Sequence, residues 1–199
     1  MNDRTSELLD AACRVIACVG AARLRMSDVA READVSTALV HYYFATRPQL
    51  LRAAFLFADA RVDVHVDAQI AGLDTAAERL ERLLSVYVAD GDELMRENCI
   101  LWREMWSHAV FDESLRAAVE ESYADWLEQV QDAITDAVDE GSATTDDPGG
   151  ASHRLAAIVD GLSSRRALGM LTGLRAAELV RDALAIELHL HLPSPHTGT

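Results

Sequence analysis

The 199-residue chain contains no lysine; all 18 of its basic residues are arginine. Cysteine is scarce as well. Cys13, Cys18 and Cys99 make an odd set with no C-x-x-C pair, which excludes a disulfide framework and points to reduced thiols. Each lies in an apolar helical pattern and is expected to be buried. No apolar run reaches 18 residues, so no membrane span is expected. The polar start Met1–Glu7 lacks the basic flank and apolar stretch of a secretory signal, which points to the cytoplasm. Catalytic signatures are missing too: no HExxH, no G-x-S-x-G, no phosphate-binding glycine loop. No histidine follows a glutamate by three. His189 and His191, two apart, point in different directions on a helix, so no metal site is expected. Neither an enzyme nor a cofactor protein is indicated.

Acid is plentiful. Thirty-three Asp and Glu residues give a net charge of −15, which taken as a bulk value argues against a nucleic-acid partner. The charge is unevenly spread, however. Residues 1–52 carry +1 and the remainder −16, so the first fifty residues are compatible with a polyanion.

Periodicity predicts an all-α chain of about nine helices. Apolar positions 8, 12, 15, 16 and 19 mark a helix over about 4–19, with Gly20 as its C-cap. Ser27 is a candidate cap for a short second helix that stops near Asp34, a residue that tolerates a left-handed turn. Ser36 caps a third helix to about Phe44. Thr46 caps a fourth over about 47–70, with Pro48 in its first turn. Within it, Val62, Val64 and Val66 alternate as in a strand, but no turn signal or partner strand accompanies them. Further helices are expected near 80–90, 94–110, 115–138, 151–171 and 174–191. The segment Gly141–Gly150 reads as one long loop.

Two short helices joined by a tight turn, after a supporting helix, form the helix-turn-helix plan, whose second helix enters the DNA major groove. The stretch from Ser27 to Leu51 resembles the TetR family of bacterial repressors. The resemblance is carried by Val29-Ala30, Ala33, Val35-Ser36, Leu39, Tyr43-Phe44, Arg47 and Leu50-Leu51. Asp34 stands where the family usually has glycine, Arg25 where a capping threonine or serine is common, His41 for a frequent tyrosine and Arg47 for a frequent lysine. The resemblance implies DNA contacts by Arg25, Ser27, Thr37, Ala38, His41, Tyr42, Tyr43 and Arg47. Of these, Arg47 at a helix N-terminus is expected to hold a phosphate. Ala38 is small enough to meet a thymine methyl.

Farther on, Ala157-Ile-Val-Asp-Gly-Leu162 is similar to the choline-responsive, BetI-like subgroup of that family. The family resemblance implies a helix-turn-helix domain over 1–46, a ligand-binding and dimerisation domain over 47–192, and a flexible tail over 193–199. A homodimer through the last two helices is expected, with Leu155, Ile158, Val159, Leu162, Leu179 and Ala183 at the interface; burial of this stripe inside a monomer is the alternative. Aromatic and polarizable residues mark a candidate effector pocket: Tyr87, Trp102, Met105, Trp106, His108, Phe111, Tyr123 and Trp126. Glu104 and His108, four apart, are placed to pair. Plain core packing is the competing reading of this group, and an aromatic cluster in an acidic domain suits a cation. The expected function is a repressor that binds a palindromic operator as a homodimer and is released by a small molecule. The rival is an all-α binding or enzymatic bundle that does not touch DNA.

Overall fold

The structure, a computed structural model, describes residues 3–190, and these are α-helical with no strand among them. The expected tail over 193–199, and His191, lie outside the described residues. The helices are α1 (Asp3–Val19), α2 (Met26–Glu32), α3 (Thr37–Tyr43), α4 (Arg47–Ile70), α5 (Ala76–Ser85), α6 (Glu93–Ala109), α7 (Glu113–Asp139), α8 (Pro148–Ala167) and α9 (Gly173–Leu188). Short 3-10 turns occupy Ala21–Arg23 and Val86–Val88.

Local chemistry explains most boundaries. Gly20, at φ +81°, ends α1 and donates its N–H to Ile16 O at 2.8 Å. Ser36 accepts the Leu39 N–H at 3.2 Å and starts α3, and Thr46 accepts the Gln49 N–H at 3.3 Å and starts α4. Thr75 and Glu78 form a reciprocal capping box on α5. The valine alternation in α4 resolves as a helix. Val62 and Val66, four apart, are buried, whereas Val64 is 71% exposed; a strand would have put all three on one side.

Three sequence expectations change. Ser27 does not cap α2. The N-cap lies two residues earlier, at Arg25, which offers no side-chain acceptor, and Ser27 lies exposed in the first turn. The loop expected over 141–150 is shorter, because Asp147 accepts the Gly150 N–H at 2.9 Å and Pro148 opens α8, where its missing donor costs nothing. Cys18 is exposed rather than buried.

Contacts group the chain into two compact units. One holds the chain up to His65 with Glu93–Tyr123; the other holds Val66–Asp92 with the chain from Ala124. The division expected after residue 46 follows sequence character, whereas compactness also draws α6 and the first half of α7 to the N-terminal helices. The first unit packs Leu8, Ile16, Val29, Val40, Phe44, Leu50, Leu51 and Phe55 with Leu101, Met105 and Leu115. In the second, α8 lies against α9 and both meet α5 and the Val86–Val88 turn. Leu80, Leu84, Val130, Ile134, Leu155, Val180 and Leu184 are buried there. Arg181 bridges to Glu81 at 2.9 Å and Arg154 to Glu187 at 2.7 Å.

The turn between α2 and α3 closes as a Schellman motif. Asp34 N–H reaches Arg31 O at 3.3 Å and Val35 N–H reaches Ala30 O at 2.9 Å, with Asp34 left-handed at φ +52°. A residue other than glycine in this conformation costs about 1 kcal/mol. Asp34→Gly therefore raises the thermal unfolding midpoint by about 2–4 °C; an unchanged or lower midpoint would show that aspartate is unstrained there. The thiols differ in the same testable way. Burial pushes the Cys13 thiol up to about 12, and Cys13 Sγ donates to Ala54 O at 3.4 Å. Iodoacetamide at pH 8 is expected to alkylate Cys18 in the native protein and to spare Cys13, by peptide mass mapping; equal labelling would contradict the burial.

Candidate nucleic-acid interface

α3 is two-sided. Val40 and Phe44 are buried and Leu39 is half-buried, which seats the helix on the core of its unit. Thr37, Ala38, His41 and Tyr42 point outward; Tyr42 is 80% exposed. Tyr43 is half-buried and meets Tyr42 edge-on with ring centroids 5.2 Å apart. An outer face of small, hydroxyl, imidazole and phenol groups carries no acid, offers donors and acceptors for base edges, and begins at the helix N-terminus. The buried side, the Ser36 cap and the Schellman turn hold it rigid.

The cations around this face have distinct tasks. Arg14 pairs with Glu32 at 2.7 Å and with Asp10, and Arg31 pairs with Asp28 at 2.5 Å. Its bond to Glu32, before any other cause, raises the Arg14 guanidinium above its ordinary value. Arg23 Nε donates to Val19 O at 2.7 Å. Arg25 is exposed; its carbonyl accepts the Asp28 N–H at 3.0 Å, and its guanidinium has no hydrogen bond or ion pair among the described residues. Arg52, not singled out in the sequence, is exposed in the same way on α4. Nothing in the sequence distinguishes it from the arginines that are paired.

Arg47 stands apart from its expected role. Its guanidinium is directed at the chain: Nε donates to Leu24 O at 3.1 Å and Nη2 to Ala21 O. On the other side of the same turn, the Ala21 N–H donates to Glu104 Oε2 at 2.6 Å. The expected Glu104–His108 pair is therefore replaced by a bond from α6 to the segment that leads into α2. The sequence could not reveal this, because the partners of Arg47 and Glu104 are backbone groups.

The eight aromatic and polarizable residues expected to line a pocket are divided between the two units. Trp102, Trp106 and Tyr123 make a mutual edge-on triad with centroids 6.1, 6.1 and 6.0 Å apart. Phe55 meets Trp102 at 5.0 Å, and the Trp102 indole donates to Asp59 at 3.3 Å. Met105 is fully buried core, His108 is half-buried and Phe111 is 91% exposed. Tyr87 and Trp126 pair with each other at 5.3 Å in the other unit.

The residues of the expected dimer stripe differ in exposure. Leu155, Val159 and Leu162 are buried in their own unit, and Leu179 and Ala183 are half-buried. Of the named residues only Ile158 is exposed; Ala157 and Gly161 on α8 and Leu174 and Ile186 on α9 are exposed as well. Helix α8 is apolar on two sides, so periodicity pointed to the inner one.

Comparison with known proteins fits this geometry. Residues 8–54 match the family described as bacterial regulatory proteins, tetR family, and residues 76–189 match the C-terminal family of BetI-type transcriptional repressors. An HTH-type transcriptional regulator BetI from Brucella anthropi is 27% identical over 187 residues, 93% of each chain. One from Agrobacterium fabrum is 36% identical over 117 residues, 57% of this chain and 54% of its own. The crystal structure of a TetR-family transcriptional regulator from Rhodococcus sp. superposes with a TM-score of 0.83 at 31% identity, covering 93% of this chain and 98% of that one. A transcriptional regulator from Saccharomonospora viridis, solved in complex with choline, gives a TM-score of 0.86 at 22% identity, covering 96% and 100%. The N-terminal helix-turn-helix and the BetI-type C-terminal region together place the chain in the TetR family of bacterial transcriptional repressors.

Proposed function

We propose that the chain represses transcription as a homodimer that binds a palindromic operator in the cytoplasm and releases it when a small organic cation binds. The outward face of α3 carries this reading. Thr37, Ala38, His41 and Tyr42 are exposed on a helix whose other side is locked into the core. In this reading Thr37 and Ala38 meet base edges, His41, Tyr42 and Tyr43 meet bases or backbone, and Arg25 with Ser27 meets phosphate.

A dimer supplies the two-fold symmetry that a palindrome requires. The outer apolar surface of α8 and α9, with Ile158, Leu174 and Ile186, suits that role, and Ala157 and Gly161 allow close helix approach. For the effector, the Trp102–Trp106–Tyr123 triad and the Asp59 carboxylate favour a cation, which aromatic faces and a nearby acid both attract. The choline bound by the Saccharomonospora viridis regulator, a protein of the same fold, supports the same class.

Selection of duplexes from a random DNA pool tests the function. Enriched sites are expected to hold two inverted half-sites one helical turn, or a multiple of it, apart; absence of enrichment would favour a helical bundle that does not bind DNA. On an enriched duplex, Arg25→Ala is expected to lower the slope of log affinity against log salt by about 0.9, the signature of one lost phosphate contact; an unchanged slope would remove Arg25 from the interface. Ile186→Glu is expected to convert the dimer to a monomer in sedimentation velocity and to lose DNA retention at unchanged helicity. A dimer that survives would place the interface elsewhere. Choline is expected to release the duplex from the wild type and not from Trp102→Ala, and equal release from both would separate the triad from effector binding.

A further inference from the structure

The segment that joins α1 to α2 is held from both sides by side chains of other helices. From α6, the Glu104 carboxylate accepts the Ala21 N–H at 2.6 Å. From the first residue of α4, the Arg47 guanidinium donates to Ala21 O and, at 3.1 Å, to Leu24 O. Both backbone polar groups of Ala21, its N–H and its C=O, are thus engaged by charged partners, which make stronger and more directional bonds than neutral ones. Leu24, buried, immediately precedes the N-cap of α2, and Arg47 lies four residues beyond the end of α3. Arg47 therefore ties the start of the helix-turn-helix to its end, and Glu104 ties that closed unit to α6. Gly20 completes the contact. It has φ +81°, and a Cβ there would lie 3.3 Å from Glu104 Oε2, so the bare backbone lets the carboxylate approach.

Glu104 lies between Trp102 and Trp106 on α6. Residues two apart on a helix diverge by about 200°, so the aromatic side and the carboxylate side of this one turn face nearly opposite ways. A displacement of about one ångström at the aromatic side would carry a 2.6 Å hydrogen bond beyond its working range.

We infer that Glu104 and Arg47 are positioning residues for DNA recognition: they clamp the backbone at Ala21 and so set the orientation in which α3 is presented. Glu104 is the point at which α6 acts on the helix-turn-helix, and Arg47 serves this clamp in place of a phosphate contact. The inference rests on the reading of α3 as the DNA-reading helix.

The test separates reach from charge. The probe is a duplex enriched from a random pool by the wild-type protein, titrated over a salt series. Glu104→Asp keeps the charge but draws the carboxylate back by one methylene, whereas Glu104→Gln keeps the length and an acceptor oxygen but removes the charge. The clamp predicts that Glu104→Asp and Glu104→Ala bind about tenfold more weakly. It predicts that Glu104→Gln stays within about threefold of the wild type and that all salt slopes remain unchanged. Arg47→Ala likewise weakens binding without changing the slope, whereas loss of a phosphate contact would lower it by about 0.9. If Glu104 acted only as a negative charge near DNA, Glu104→Asp would equal the wild type while Glu104→Gln and Glu104→Ala bound more tightly; that result overturns the proposal. It also fails if all three Glu104 variants weaken binding together with a lower thermal midpoint, because Glu104 would then serve stability alone. A wild type that enriches no duplex overturns the DNA-reading proposal itself, and this one with it.

Discussion

The helix-turn-helix depends on one stretch of backbone, at Ala21, held from two sides. α2 and α3 are only seven residues each, too short to be stable alone, and must borrow their geometry from their surroundings. The Schellman turn fixes one against the other, the Ser36 cap fixes the start of α3, and the bonds of Arg47 to Ala21 and Leu24 close the unit at its base. Rigidity matters because base readout needs donors and acceptors placed to within a fraction of an ångström. Glu104 extends the same network to α6, on which Trp102 and Trp106 stand. Compactness agrees: α6 belongs to the same unit as the N-terminal helices.

The absence of lysine sharpens the electrostatics. Every cation of the N-terminal region is a planar fork able to make several directed bonds, and several of these forks are engaged inside the protein: Arg14 with Glu32, Arg31 with Asp28, Arg23 and Arg47 with carbonyls. The near-neutral N-terminal region therefore has fewer free cations than its count of seven arginines suggests, with Arg25 and Arg52 exposed. Weak general attraction to a polyanion, set against an acidic remainder at −16, leaves affinity to rest on shape and base contacts.

Much of the fold was legible because local signals agreed with the packing. The bounds of α4, the Ser36 and Thr46 caps and the left-handed Asp34 follow from residue chemistry within a few positions. Errors arose where a rule had two outcomes. Arg25 is a poor cap, so the sequence favours Ser27, yet α2 starts at Met26. Pro148-Gly149-Gly150 reads as loop, but proline in a first turn behind the Asp147 cap starts a helix. The outward face of α3 was visible in the sequence; the duties of Arg47 and Glu104 were not, because they bond to backbone groups far away in the chain. For Leu155, Val159 and Leu162 the sequence leaves two sides open, because α8 is apolar on both and periodicity does not say which one faces its own core.

The central claim is that α3 reads DNA while the Ala21 clamp stays intact. A crystal structure of the protein on an enriched duplex tests it most directly. The account predicts α3 in the major groove with Thr37 and Ala38 against base edges, Arg25 at a phosphate, and Arg47 still on the carbonyls of Ala21 and Leu24. A complex in which another surface meets the duplex, or in which Arg47 leaves those carbonyls for a phosphate, would contradict it.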